Sequence, residues 1–129
     1  MALLSQKNVG GNTVSSSYAN LREQQVEITA AYTTDILAVV GLPHIIFWAS
    51  EHVPYTPGAS SFAVKFQAAT RTLNGEPDFE NIMSTLVPTG GVPQLFSFEF
   101  PCLAIRATVS LPTGATSLKF DYVLSAYGP

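Results

Sequence analysis

His44, His52, Asp35, Ser50, Glu51 and Cys102 are the side chains whose types could do chemistry. An imidazole beside a hydroxyl or thiol activates a nucleophile, and imidazoles grouped with carboxylates or a thiolate hold a metal. Their spacing supports neither arrangement: the chain has no HExxH, HxH, CxxC or GxSxG pattern. His44 follows Pro43 at the start of a strand, and His52 sits in the proline-containing loop after Trp48, where ordinary strand-edge and loop histidines are the expected reading. Cys102 is the single cysteine, which excludes an intramolecular disulfide and a cysteine metal site and points to a small buried thiol. The expectation is no catalytic residue, no bound cofactor and no metal.

The other candidates reduce in the same way. Glu51, Glu76, Asp78 and Glu80 are expected in loops, where two carboxylates could flank a sugar or join a calcium site. The chain leaves little sequence for groove-lining loops, however, and the calcium-loop pattern is missing, so solvated loop charges are expected. Gly10-Gly11 and Gly90-Gly91 lack a following Lys-Ser/Thr and read as turns or hinges. Phe47, Trp48, Phe62, Phe66, Phe96, Phe98, Phe100, Phe120 and Tyr122 fall mostly at alternating positions and read as core. Tyr18, Tyr55 and Tyr127 fall in loops or ends, where a surface contact is the natural role; Tyr55 with Trp48 would make a carbohydrate platform.

The elements that must carry these residues are strands. Leu103, Ile105, Ala107, Val109 and Leu111 alternate with Ala104, Arg106, Thr108 and Ser110. After Pro112-Thr113-Gly114-Ala115-Thr116 the pattern returns in Leu118, Phe120, Tyr122, Leu124 and Ala126. A period of two with one apolar face predicts strands over 102–111 and 117–127, and the loop between them predicts an antiparallel hairpin. Val26, Ile28 and Ala30 begin an earlier strand, 33–42 is a more continuously apolar or bulged one, and 44–49 a third. Phe62, Val64, Phe66 and Ala68 face inward in the next, with Lys65 and Gln67 outward, and 94–100 alternates again. Residues 71–91 allow either a short helix near Asp78 or a hairpin turned at Asn74-Gly75. The fold class is therefore all-β, an antiparallel sandwich or jelly roll, with no internal repeat.

Residues 1–24 differ from the rest. They are polar, rich in Gly, Ser and Asn, and aperiodic, which predicts an extended N-terminal arm ahead of a domain over 25–129. Leu3, Leu4, Val14, Tyr18 and Leu21 are its scattered anchors, expected to insert into neighbouring subunits. Of the chain's 129 residues 47% are hydrophobic but only 12% are charged, about half the usual share. Such a surface suits either a polar uncharged monomer or one covered by partners; the arm, expected to contact neighbouring subunits, favours a homo-oligomer. A net charge of −3 without a Lys/Arg cluster argues against nucleic acid. The start of the chain lacks a secretory signal pattern, and the longest apolar run, 36–48, is broken by Gly41, Pro43 and His44, so neither export nor a membrane partner is expected.

Gln67-Ala68-Ala69-Thr70, the stretch Leu103-Ala104-Ile105-Arg106-Ala107-Thr108-Val109-Ser110, and the closing Leu118-Lys119-Phe120-Asp121-Tyr122-Val123-Leu124-Ser125-Ala126-Tyr127-Gly128 resemble small β-sandwich virion proteins of tailed bacteriophages, especially head decoration or cement proteins. The likeness covers residues 62–70 and 95–128 and is one of style. It implies a non-enzymatic structural protein on the capsid surface, assembled in the host cytoplasm. There it would sit as a trimer that bridges subunits of the major capsid protein. The alternatives are another virion part, such as a tail, head-to-tail or glycan-binding fibre module using the loop 50–61, and a small β-sandwich enzyme.

Overall fold

Alternating apolar and polar residues form strands because successive side chains leave the backbone on opposite sides, so one face can be buried while the other stays wet. The computed structural model describes residues 18–52 and 61–128. Among them nine strands form: β1 (Tyr18–Ile28), β2 (Tyr32–Thr33), β3 (Leu37–Ala38), β4 (His44–Glu51), β5 (Ser61–Leu73), β6 (Glu76–Pro88), β7 (Gln94–Glu99), β8 (Ala104–Val109) and β9 (Leu118–Tyr127). They build a four-stranded sheet ordered β1-β9-β4-β7 and a second sheet ordered β2-β8-β5-β6, with β3 also on β8. Every pairing is antiparallel. Because β2 and β3 pair with successive parts of β8, they act as one interrupted strand, and each sheet is then four strands wide. Consecutive strands cross between the sheets except at the β5–β6 hairpin, which is the jelly-roll arrangement. The all-β sandwich expected from the sequence is therefore the fold. Among the described residues no helix is long and apolar enough to cross a membrane.

The core lies between the sheets. Ile45, Phe47, Phe120, Tyr122 and Leu124 from the first sheet meet Phe62, Val64, Phe66, Ile105 and Val109 from the second, all essentially inaccessible to water. Phe47 and Phe66 close the gap between sheets edge to face, their ring centres 5.1 Å apart. Fully burying such a side chain contributes about 1.5–3 kcal/mol, so these few aromatics carry much of the stability.

Three expectations are corrected. The last two strands do not pair with each other: β8 lies between β2/β3 and β5, and β9 between β1 and β4. Their alternation looks alike because their apolar faces look at one another across the core. Residues 110–117 therefore cross between sheets, and the Pro112–Ala115 turn (Ala115 N–H to Pro112 O, 3.0 Å) sits inside that crossing.

The expected arm is also too long. Tyr18–Ile28 is the edge strand β1, paired with β9 from Tyr18↔Tyr127 to Ile28↔Leu118. Tyr18 and Leu21 thus belong to the sandwich, and Leu21 packs against its core. A bulge between Glu23 and Val26, with Gln25 at φ 55°, separates the part of the strand expected from Val26 onward from the part before it, which reads as arm. The inward positions are Ala19, Leu21 and Glu23 before the bulge, and Val26 and Ile28 after it, so no single period spans the strand. Leu3, Leu4 and Val14 lie outside the described residues.

The expected continuous strand over 33–42 is the interrupted β2/β3. At the break, Thr34 donates its backbone N–H to Ala107 O (2.8 Å), and its hydroxyl accepts the Ala107 N–H (3.0 Å). Where helix and hairpin were both open, the hairpin is the outcome. Asn74 and Gly75 take φ of 54° and 83°, the left-handed pair that a two-residue turn between twisted strands requires.

Candidate functional site

Since inward positions fill the core, any function of the sheets must lie on the outward ones, and the registers place these in rows. Across the four-stranded sheet one row reads Arg22, Val123, Trp48, Leu95. The next reads Asn20, Ser125, Ile46, Ser97, and the third Tyr18, Tyr127, His44, Glu99. The middle of this face is uncharged and largely apolar. Leu95 is 66% exposed, while Trp48, Ile46 and Val123 are half-buried among their neighbours. The small polar pair between them is self-contained, Ser125 Oγ donating to Asn20 Oδ1 at 2.9 Å. The Tyr18 and Tyr127 rings pack 4.7 Å apart at one corner. Burial, followed by a hydrogen bond with Tyr18, raises the Tyr127 phenol above its ordinary value, so it remains a neutral hydroxyl. Charge surrounds this apolar group: Arg22 lies on one side, His44 with Glu99 (4.0 Å) on another, and Asp121 and Lys119 hold the outward positions of β9 beyond Val123.

The outer face of the second sheet is built differently. Arg106 Nε donates to Gln67 Oε1 (2.8 Å), and Gln67 Nε2 donates to Asn81 Oδ1 (3.0 Å), so three strands are laced by one polar chain. The Arg106 guanidinium lies 4.0 Å over the Phe79 ring. Arg71 pairs with Asp78 at 2.9 Å, and the Thr33 and Thr108 hydroxyls meet at 3.1 Å. These polar groups satisfy one another and leave Leu86 (61% exposed) as a single exposed apolar side chain near the edge, whereas the first face groups several apolar side chains in adjoining rows.

The side chains considered for catalysis are dispersed. His44 opens β4 and His52 follows its end, which puts them roughly 25 Å apart at the usual rise of a strand. His52 Nδ1 lies 3.7 Å from Asp121 Oδ2, while Asp121 Oδ1 accepts the Gln25 N–H at 2.6 Å, so Asp121 braces the bulge of β1. Asp78 and Glu80 are on edge strand β6 and not in a loop. Cys102 lines a cleft of about 460 Å³ with Gly41, Leu42, Pro43, Thr70, Pro101 and Leu103. Burial pushes its thiol up, away from the reactive thiolate. Among the described residues no group of three or more His, Cys, Asp or Glu could hold a metal ion. Tyr55 lies outside the described residues.

Two inward-facing carboxylates, Glu51 buried and Glu23 half-buried, were not legible as such. Glu51 was expected in a loop; it ends β4 facing inward, 3% exposed, and accepts the Gly90 N–H at 2.7 Å, tying the β6–β7 connection to the sandwich. Glu23 Oε1 accepts the hydroxyls of both Tyr32 and Tyr122 at 2.6 Å. Burial and the neighbouring Glu23 push Tyr32 up to about 12, and the same causes raise Tyr122. Both carboxylates are structural clasps. A bulge and a strand end hid their inward orientation.

No family model and no curated protein matches the chain. Among solved structures it is similar to the SPBc2 prophage-derived protein YomS, at 15% identity and a TM-score of 0.48, over 88% of this chain and 99% of that one. It is also similar to a chain from the disulfide-linked pili of Bacillus endospore appendages, at 12% identity and a TM-score of 0.44, over 99% and 100% of the two chains. A third similarity is to a cleaved adhesin domain of Lys-gingipain from Porphyromonas gingivalis, at 12% identity and a TM-score of 0.44, over 84% and 71%. Likeness at this level carries no functional assignment.

Proposed function

We propose that the chain is a non-enzymatic structural protein of a phage virion, a head decoration protein that attaches to the major capsid protein through the outer face of the four-stranded sheet. The observation that carries this is the contrast between the two outer faces. One is laced by its own hydrogen bonds, and the other presents Trp48, Ile46, Val123 and Leu95 in adjoining rows without a charge among them. Large apolar side chains grouped on a rigid sheet and rimmed by polar residues have the make-up of a protein-binding patch. A stiff sandwich also suits repeated attachment, because several modest contacts on one oligomer, a trimer in this reading, add to slow release.

The test is co-sedimentation with expanded, empty heads of a tailed phage lacking their decoration protein, together with sizing of the free protein. Wild type and Lys65→Asp, altered on the opposite face, are expected to attach, while Trp48→Asp and Leu95→Asp are not. Equal attachment by all four, or none by wild type, would sink the reading.

A second reading, a glycan-binding tail or fibre module, draws on the other face. There the planar side chains of Arg106, Gln67 and Asn81 lie beside Phe79, an arrangement that suits sugar hydroxyls. Glycan binding abolished by Gln67→Ala, with no attachment to heads, would favour it.

A further inference from the structure

The cleft holding Cys102 has a role that neither outer face accounts for. Its walls are Leu42 and Pro43 ahead of β4, Pro101 and Leu103 ahead of β8, and Thr70 on β5, with no charged side chain among them. Gly41 leaves it open on one side, since nothing lies within 4 Å of where its Cβ would be. Val40 beside it is 70% exposed, and Leu73, farther along the same hairpin as Thr70, is 56% exposed. The cleft is an apolar receptor at one end of the sandwich.

The same end releases the N-terminal chain. Tyr18 pairs with Tyr127, and Tyr127 with His44, which follows cleft residue Pro43. The point of departure is therefore two strand spacings, or about 10 Å, across the sheet from the cleft wall. The segment 1–17 holds one apolar run, Met1-Ala2-Leu3-Leu4, in which Leu3-Leu4 are the large branched side chains, separated from Tyr18 by the mostly polar residues 5–17. Thirteen residues of Gly/Ser-containing sequence span about 20 Å as a random coil and more than twice that when fully extended. This reaches an adjoining domain.

We propose that the Leu3-Leu4 pair of one copy docks in the 41–43/70/101–103 cleft of a second copy, so that exchanged N-terminal segments join the protein to itself. The proposal rests on the reading of the chain as an assembly component and names the contact by which copies join. The chemistry agrees: two leucine side chains gain by leaving water for a cleft walled by Leu and Pro, which asks for no charged or hydrogen-bonding partner.

Two variants of the full-length chain test it. In Thr70→Trp the exposed position directs an indole into the cleft, and Leu3→Asp with Leu4→Asp spoils the segment without touching the sandwich. Sedimentation over a concentration series reads self-association, and the alkylation rate of Cys102, the single cysteine, reads occupancy of the cleft. Each variant is expected to weaken self-association about tenfold or more, the loss that goes with one buried leucine side chain. Cys102 of wild type should react more slowly as concentration rises. Mixing the two variants should restore part of the association, because one supplies an intact segment and the other an intact cleft. Unchanged association in both variants overturns the proposal. So does concentration-independent protection of Cys102 lost in the Leu3/Leu4 variant, which would put the segment in its own cleft. Attachment to heads, read with Trp48→Asp, reports separately on the proposed function, so either idea can fail alone.

Discussion

The Glu23 carboxylate accepts the Tyr122 hydroxyl at 2.6 Å, on a tyrosine that is 1% exposed. The same oxygen accepts Tyr32 across the gap to the other sheet. β1, β9 and β2 are thereby fastened at the bulge, where the regular β1–β9 ladder is interrupted. A carboxylate serving two hydroxyls makes stronger bonds than neutral pairs do, and removing it leaves the two hydroxyls only each other, with one donor unsatisfied.

Glu23→Ala is therefore expected to destabilise the fold by about 2–4 kcal/mol, because it leaves a buried hydroxyl unsatisfied. Tyr122→Phe, which removes the donor along with its need for a partner, should cost less, about 1–2 kcal/mol. Urea unfolding of both variants checks the order; a Glu23→Ala cost below that of Tyr122→Phe would contradict the clasp.

The raised phenols set an alkaline limit. Tyr32 is pushed up to about 12 against 10.0 in the unfolded chain, and Tyr122 is raised as well. A group whose folded value lies above its unfolded one stabilises fully below the unfolded value and loses that contribution as pH rises toward the folded one. Urea midpoints should accordingly hold up to about pH 10 and fall between 10 and 12. The double variant Tyr32→Phe with Tyr122→Phe should fall less steeply over that window, and identical slopes would refute the assignment.

Phe120 and Lys119 are neighbours on β9 with opposite orientations. Phe120→Ala should cost about 3–5 kcal/mol as a fully buried aromatic truncation. Lys119→Ala, on the outward side, should cost under about 0.5 kcal/mol. Thermal or urea unfolding distinguishes them; similar costs would mean that the face assignment is wrong.

Gly75 turns the β5–β6 hairpin at φ 83°, and no atom lies within 4 Å of the Cβ it lacks. Gly75→Ala is thus a purely conformational change, expected to cost about 1–2 kcal/mol. A melting temperature equal to wild type would show that the turn relaxes to another type.

Most strands were legible in the sequence, because alternation records which side of each segment is wet, whereas over 71–91 Asn74-Gly75 left a hairpin and a short helix both open. What the alternation could not say was which strand pairs with which. β8 and β9 carry the same period because both bury one face in the same core, and facing across it looks identical in sequence to lying side by side. Of β1 the alternation showed only the part from Val26 onward, because the bulge reverses the phase and turns Glu23 inward among apolar positions. The row of Trp48, Val123 and Leu95 is assembled from three distant segments, and so is the cleft around Cys102. Such groupings follow from registers and crossings between sheets, which depend on packing between residues far apart in the chain, and only the tertiary structure decides them.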